Sequence, residues 1–460
     1  MLKSRMRLVF LTVALLGLAL APNAFAKVSA EKAAQLGKNL TLFGAEKAGN
    51  ADGSIPEYTG GLNKIPDGIK FTPGMLHPDP FANDKPLFKI TAKNLDKYAD
   101  KVSPGFQALI KRYPESFYLN VYVTRRTAAY PDWWNKRTIR NATLMELTKD
   151  KLGLINHGVT GGVPFPIPTC AEEVMFNHLL TWQGPGIEGD YRRGNTFPNG
   201  NLVRNGGGYA WMKNPWNLPD LDGKKWDGVY FELITRQDEP PRRKGELLLV
   251  KDPLNQSKHP RLAWQYLPGQ RRVRRAPTVA YDTPNPGSSG LECYDDAFIF
   301  NGALDRFNWK IVGKKEMYIP YNCYKAMLVP EKELLTGKHV NPALLRFELH
   351  RVWVIEATLK KGKRHVYGRR VVFVDEDSWS GVTMDMYDRR GTLWRSRYSM
   401  MRNRYNLPAV VKDLEILIDF TRPDYGSVKI LNGCKYPLRY DAVVPENNFS
   451  PEWLRRAGRR

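Results

Sequence analysis

Three groups of acidic residues are the first places to look for chemistry. Asp375-Glu376-Asp377 could bind a metal or act as paired carboxylates, and Asp295-Asp296 and Asp305-Arg306 are candidates for buried polar bonding. Asp375–Asp377 falls between two apolar runs, where acidic residues commonly solvate a turn, and a turn is the reading preferred. Aromatic and apolar residues flank the other two groups, which suits a buried ion pair or loop brace better than catalysis. The seven histidines, His77, His157, His178, His259, His339, His350 and His365, form no HExxH or HxH pair at ligand spacing. Gly287-Ser288-Ser289-Gly290 follows a proline and is no nucleophile elbow. Gly184–Gly189 matches G-x-G-x-x-G in form, but neither the strand nor the helix of a dinucleotide site flanks it, so it reads as a loop. Asn50-Ala51-Asp52-Gly53 lacks the closing acid of a calcium loop and reads as a turn. No catalytic motif emerges, no metal or other cofactor is called for, and the expectation is a protein that is not an enzyme.

The elements that would position any site are clearest in the C-terminal half. Between Leu345 and Lys360, Phe347, Leu349, Trp353, Ile355, Ala357 and Leu359 alternate with mostly polar residues. A period of two predicts a long strand with one buried and one largely wet face. Arg364–Asp375, Val382–Tyr387, Trp394–Met400 and Leu414–Phe420 repeat the pattern between short Gly- or Asp-containing turns, as in an antiparallel meander. Strands this long coil, and their apolar face needs a cover or a cavity. The expected class is mainly β with helical additions, α+β. Trp353, Met384, Met386 and Trp394 are candidate cavity-lining residues. Arg351, a charge on the apolar face, and the basic cluster Arg271, Arg272 and Arg274 are candidates to hold an anionic head group.

Further strands are expected at Phe117–Thr127, Asp227–Thr235, Glu246–Val250 and Arg261–Leu267. Helices are expected at Ser29–Leu40, Thr91–Ala99, Ser103–Tyr113, Asn141–Leu147 and Ala171–Trp182, the last capped by Thr169. The organisation predicted is a signal peptide over 1–26, a helical and loop-rich arm over 27–115 and one large sheet over 116–435. That sheet carries a helical insertion at about 136–225, and a basic tail follows over 436–460.

Lys3, Arg5 and Arg7, the apolar run Leu8–Ala21 and Ala24-Phe25-Ala26 have the order of a cleaved secretory signal. Removing those three bases lowers the formal charge from +23 to +20, a surplus suited to lipid headgroups or other polyanions. Export to the periplasm argues against nucleic acid as the partner and leaves peripheral membrane contact open. Four well-separated cysteines, Cys170, Cys293, Cys323 and Cys434, allow one or two disulfides in an oxidising compartment, or none.

Five strings bear a family resemblance: LTLFGAEKAGNADGSIPEYTGGL (40–62), PFPIPTCAEEVMFNHLL (164–180), WQYLPGQRRVRRAPTVAYDTP (264–284), FNGALDRFNWKIVGKKEMYIPYN (300–322) and HVYGRRVVFVDEDSW (365–379). The chain resembles domain of unknown function 1329, a Gram-negative family described as outer-membrane lipoprotein-sorting-like. The resemblance implies a fold similar to the carriers LolA and LolB: a curved, incompletely closed antiparallel half-barrel, its concave face covered by helices and the N-terminal arm. It also implies a periplasmic role with hydrophobic or acylated molecules, beside an inner-membrane exporter and an outer-membrane protein. It supplies no catalytic residues, and no disulfide through Cys170. The rival readings are an enzyme acting on a lipid or envelope polymer through Asp295, Asp296 or Asp305, and an adaptor between envelope complexes.

Overall fold

The computed structural model describes residues 28–256 and 258–459; the expected signal peptide lies outside them. Two short strands, β1 (Phe88–Ile90) and β2 (Leu119–Val121), precede a two-stranded hairpin of β3 (Glu146–Leu147) and β4 (Leu154–Ile155). Six strands follow: β5 (Gly186–Thr196), β6 (Leu202–Lys213), β7 (Val229–Glu239), β8 (Leu247–Pro253), β9 (Leu262–Leu267) and β10 (Arg272–Arg275). After a long loop come β11 (Phe307–Pro320), β12 (Phe347–Leu359), β13 (Arg369–Asp375) and β14 (Gly381–Tyr387). The last are β15 (Leu393–Arg404), β16 (Ala409–Asp419) and β17 (Tyr425–Ile430). Fifteen of these strands form one open sheet in the order β1-β2-β12-β13-β14-β15-β16-β17-β5-β6-β7-β8-β9-β10, with β11 also paired to β12. The pairing is antiparallel except where β2 meets β12. This is the large, mainly antiparallel, unclosed sheet expected; β12 to β16 are the meander read from the alternation, and β17 extends it.

The expected wet face is not wet. Along β12 the alternate residues Glu348, His350, Val352 and Val354 are as buried as Phe347 and Leu349. Tyr321 lies against His350 at 4.1 Å, and Val352 and Val354 pack with Ala128, Tyr321 and Met401. A helix over Pro104–Arg112, started by the Ser103 hydroxyl and Pro104, covers a neighbouring part of the sheet. Its Phe106, Leu109 and Ile110 pack with Tyr398, Met400, Leu414 and Ile416. The earlier part of the arm covers the opposite face, where Trp379 Nε1 donates to the Phe43 carbonyl at 2.8 Å. The arm thus wraps both faces. At the helix start the Gly105 N–H and the Ser396 hydroxyl donate to the Asp385 carboxylate at 2.9 and 2.7 Å. Burial lifts the Asp385 pKa to about 6 despite those bonds. A carboxyl whose folded pKa is raised costs stability as pH climbs from its unfolded value near 4 through the folded one. Asp385→Asn should therefore stabilise the protein by roughly 1–3 kcal/mol at pH 8 and by little at pH 4. Urea unfolding at the two pH values checks it, and an equal effect at both would contradict it.

Burial also changes the reading of Asp375–Asp377. These residues are 0–4 % exposed, not solvated. Arg126 grips Asp377 through two bonds of 2.9 and 2.7 Å, Lys314 pairs with Glu376, and Asp375 accepts from Ser378. His350 lies between Glu348 and Asp375, at 3.3 and 3.4 Å. Burial opposes its charge, but the two carboxylates outweigh burial and raise its pKa to about 9.

The stretch 136–225, expected as a helical insertion, contains β5 and β6, which join the two halves of the sheet. The segment Phe117–Thr127 yields only the three residues of β2. Beyond it, side chains replace the ladder: the Thr124 hydroxyl donates to the Leu349 carbonyl and Arg125 N–H to the Glu348 carboxylate. The expected helix at Asn141–Leu147 runs instead from Asp132 to Leu144. The helix Ala171–Leu179 has Cys170, not Thr169, at its N-cap position, with no side-chain capping bond, and Thr169 gives both its donors to Glu173. The tail 436–441 pairs along β5, and its helix Pro451–Ala457 buries Leu454 against the outside of β8 to β10. All four cysteines are free thiols, Cys293 and Cys323 buried. Among the described residues no helix is long and apolar enough to cross a membrane.

Candidate functional site

A cavity of about 360 Å³ lies against β5 to β9, within the range of small-molecule pockets. Strand alternation builds its floor. Ile187, Tyr191 and Arg193 from β5, Ala210 and Met212 from β6, and Phe231, Leu233, Thr235 and Gln237 from β7 project into it. Arg397, Glu415 and Val428 extend the floor across β15 to β17. Its roof is the loop 276–301. There Phe298 packs edge-on to Phe231 at 5.8 Å, and Phe298 and Ile299 both take positive φ, 57° and 75°. A β-branched residue in that region is strained, and it persists only where its surroundings enforce it.

What enforces it is a set of buried ion pairs between roof and sheet. Asp295 accepts from Arg370 and His365 at 2.8 and 3.0 Å, and Asp296 accepts from the Tyr367 hydroxyl at 2.9 Å. Burial works against the Asp295 charge, yet Arg370 and His365 hold its carboxyl well below the usual range. Glu292 takes Arg397 at 2.5 Å and Arg193 beside it. Arg397 also meets Glu415, which Lys429 approaches at 2.8 Å. Burial opposes ionisation of Glu415, but Arg397 and Lys429 hold it at about 2. The cavity is thus amphiphilic, with an apolar body and a wall of arginines and carboxylates. Asp295 and Asp296 do not line it; they brace its roof. Asp305 does not line it either.

None of the eight residues singled out from the sequence is among those lining this cavity. Trp353, Met384 and Met386 do share its sheet face, since the register runs Trp353–Val374 and Val372–Met384–Arg397. There, however, the space is filled: Met384 and Met386 sit in the core with Val174 and Met175 of the helix Ala171–Leu179, and Trp353 stacks on Trp379. Trp394 donates to Asp419 at 3.0 Å and lies under Arg395. Arg351 donates to the Ala48 carbonyl at 2.9 Å and so fastens the arm. Arg271, Arg272 and Arg274 are exposed at the β10 edge. The register Leu248–Gln265–Arg274 carries the cavity-lining row of β8 and β9 out to Arg274. The lining residues on β7 are visible in the sequence as every second residue of an expected strand. Those on β5 are hidden in a glycine-rich string. Among the described residues no group of three or more His, Cys, Asp or Glu is arranged to hold a metal ion.

An open antiparallel sheet roofed by a salt-bridged loop over an amphiphilic hollow defines a cavity-bearing β protein. The chain belongs to the family described as protein of unknown function (DUF1329), whose model matches residues 89–455. It is 41% identical over 445 residues to the uncharacterized protein PA3922 of Pseudomonas aeruginosa, covering 96% of both chains. Among solved structures it is similar to a DUF1329 family protein from Desulfovibrio piger (16% identity, 59% of this chain and 92% of that one, TM-score 0.40). A putative outer membrane lipoprotein-sorting protein domain from Vibrio parahaemolyticus gives 14% identity, 60% and 92% coverage and a TM-score of 0.39. A LolA superfamily protein from Nitrosomonas europaea gives 10%, 62% and 100%, and 0.37.

Proposed function

We propose that this protein is a periplasmic carrier or chaperone that shelters a hydrophobic or acylated ligand in the cavity between β5–β9 and the loop 276–301. The observation that carries the reading is the hollow itself, a space of about 360 Å³ lined by the apolar residues Ile187, Met212, Phe231, Leu233 and Val250. Burying an acyl chain there gains about 25 cal/mol per Å² of apolar area. Arg272 and Arg274, at the rim on the row that leads inward, would draw an anionic ligand to the mouth. Arg351, Trp353, Met384, Met386 and Trp394 act in this reading as the frame. The basic, apolar and small-residue order of residues 1–26 supports export, and an envelope export system is the setting proposed. The enzyme reading draws little from Asp295, whose oxygens accept from Arg370 and His365, or from Asp296, whose Oδ2 accepts from Tyr367 and whose Oδ1 faces Arg370 at 3.4 Å.

Native mass spectrometry of the protein purified from cells, with lipid extraction of the same sample, tests the proposal. A copurifying lipid-sized ligand, or its uptake by stripped protein, is the expected result. Repeated recovery of protein that takes up neither fatty acid nor phospholipid would end it.

A further inference from the structure

In the polar wall of the cavity Arg193 and Arg243 stand on either side of Gly287. A Cβ placed on Gly206 or Gly287 would be closely met there. Near the first lie Arg193 Cδ at 3.3 Å and Gln237 Oε1 at 3.6 Å; near the second lie Arg193 Nη1 at 3.3 Å, Asn285 Oδ1 at 3.4 Å and Arg243 Nη1 at 3.6 Å. Gln237 Nε2 donates to the Tyr191 hydroxyl at 2.9 Å, while the other end of the amide has no partner. Arg193 Nε is also buried without one. The charges around the cavity do not cancel: Arg193, Arg243, Arg261, Arg397 and Lys429 line it. Against these five stand four carboxylates, Glu246, Glu292, Glu415 and Asp252. A surplus cation with spare donors in a partly apolar hollow is costly unless an anion meets it. Two guanidinium groups flanking a glycine suit a carboxylate or a phosphate, whose oxygens accept their paired N–H donors.

We infer that the cavity binds an anionic amphiphile, its carboxylate or phosphate head seated between Arg193 and Arg243 beside Gly287, and its chain along Met212, Phe231 and Leu233. The inference rests on the carrier reading above and adds the head-group class and its seat. Charge-assisted bonds to such a head are worth about tenfold or more in affinity over a neutral hydroxyl.

Displacement of a fluorescent apolar probe from the stripped full chain, by hexadecanoate, hexadecyl phosphate and hexadecan-1-ol, is the test. Both anions, or one of them, should bind at least about tenfold more tightly than the alcohol, and the stronger of the two tells a fatty acid from a phosphate head. Gly287→Ala places a methyl group between the two guanidinium groups without removing a charge, at a position with ordinary φ. Arg243→Gln removes one of the two guanidinium groups while leaving half-buried Glu246 able to reach water. Both variants should cut the preference for the anion to within about threefold, with thermal unfolding by circular dichroism checking that each is folded. Equal binding of all three amphiphiles by the parent, or a full preference retained in both variants, overturns the assignment and leaves the carrier reading standing. Failure of all three to bind overturns both.

Discussion

Arg370→Leu is expected to destabilise the protein by about 3–5 kcal/mol at neutral pH, because it strands buried charge. Arg370 is 0 % exposed, and it meets Asp295 at 2.8 Å and Asp296 at 3.4 Å, both buried. Leucine fills much of the volume but leaves two carboxylates in the interior without that cation. The sign with pH follows from the depressed Asp295 pKa. Its stabilising contribution is present above the unfolded value near 4 and is lost as pH falls through the folded one. In the variant the stranded acids are easier to protonate than in the parent, so the deficit should shrink from pH 7 towards pH 4. Urea unfolding at pH 7 and pH 4 reads both numbers, and limited proteolysis within 276–301 reports whether the roof loosens first. A loss under about 1 kcal/mol at pH 7 would show that the ion pairs do not hold the roof.

Ala210→Phe should weaken ligand binding by about thirtyfold while changing stability by less than about 1 kcal/mol. Ala210 lies on β6 between Gly189 and Thr235, with its side chain facing the hollow. A ring there takes the place of two or three methylenes of a bound chain, each worth about 0.8 kcal/mol. Ala210 is buried but borders the hollow, which gives the ring room to enter, so the fold should tolerate it. Val203→Phe, on an exposed position of the same strand, is the control and should bind as the parent does. The probe-displacement measurement settles it: equal affinity of Ala210→Phe and parent would move the ligand elsewhere.

The sheet is legible in the sequence where side chains alternate and turns are short, from β12 to β16 and from β7 to β9. It is illegible at β5 and β6 because those strands are rich in glycine, which has weak strand propensity. Gly208 shows why glycine stands there. With φ at 151°, a Cβ would come 2.0 Å from the Arg236 carbonyl oxygen, so the β6–β7 bulge needs a residue without a side chain. The same blind spot hides the cavity, since its floor begins on β5. The acidic triplet Asp375–Asp377 misleads for another reason. Arg126, its partner, is 251 residues away from Asp377, and no local pattern announces a pair formed at that distance. Asp295 and Asp296 read as braces because apolar neighbours surround them, and that local signal suffices.

The strand that joins the two halves of the sheet finds part of its pairing very late in the chain. Over Gly186–Asp190 one neighbour of β5 is the segment 437–441, and Arg439 reaches back 251 residues to Glu188. Pairings so distant in sequence are closed slowly, because loop entropy is spent before any contact forms. Until that segment arrives, β5 has an unsatisfied border and the hollow beside it an incomplete floor. Completing the floor of the cavity therefore waits on residues 437–441, far along the chain from the strand they flank.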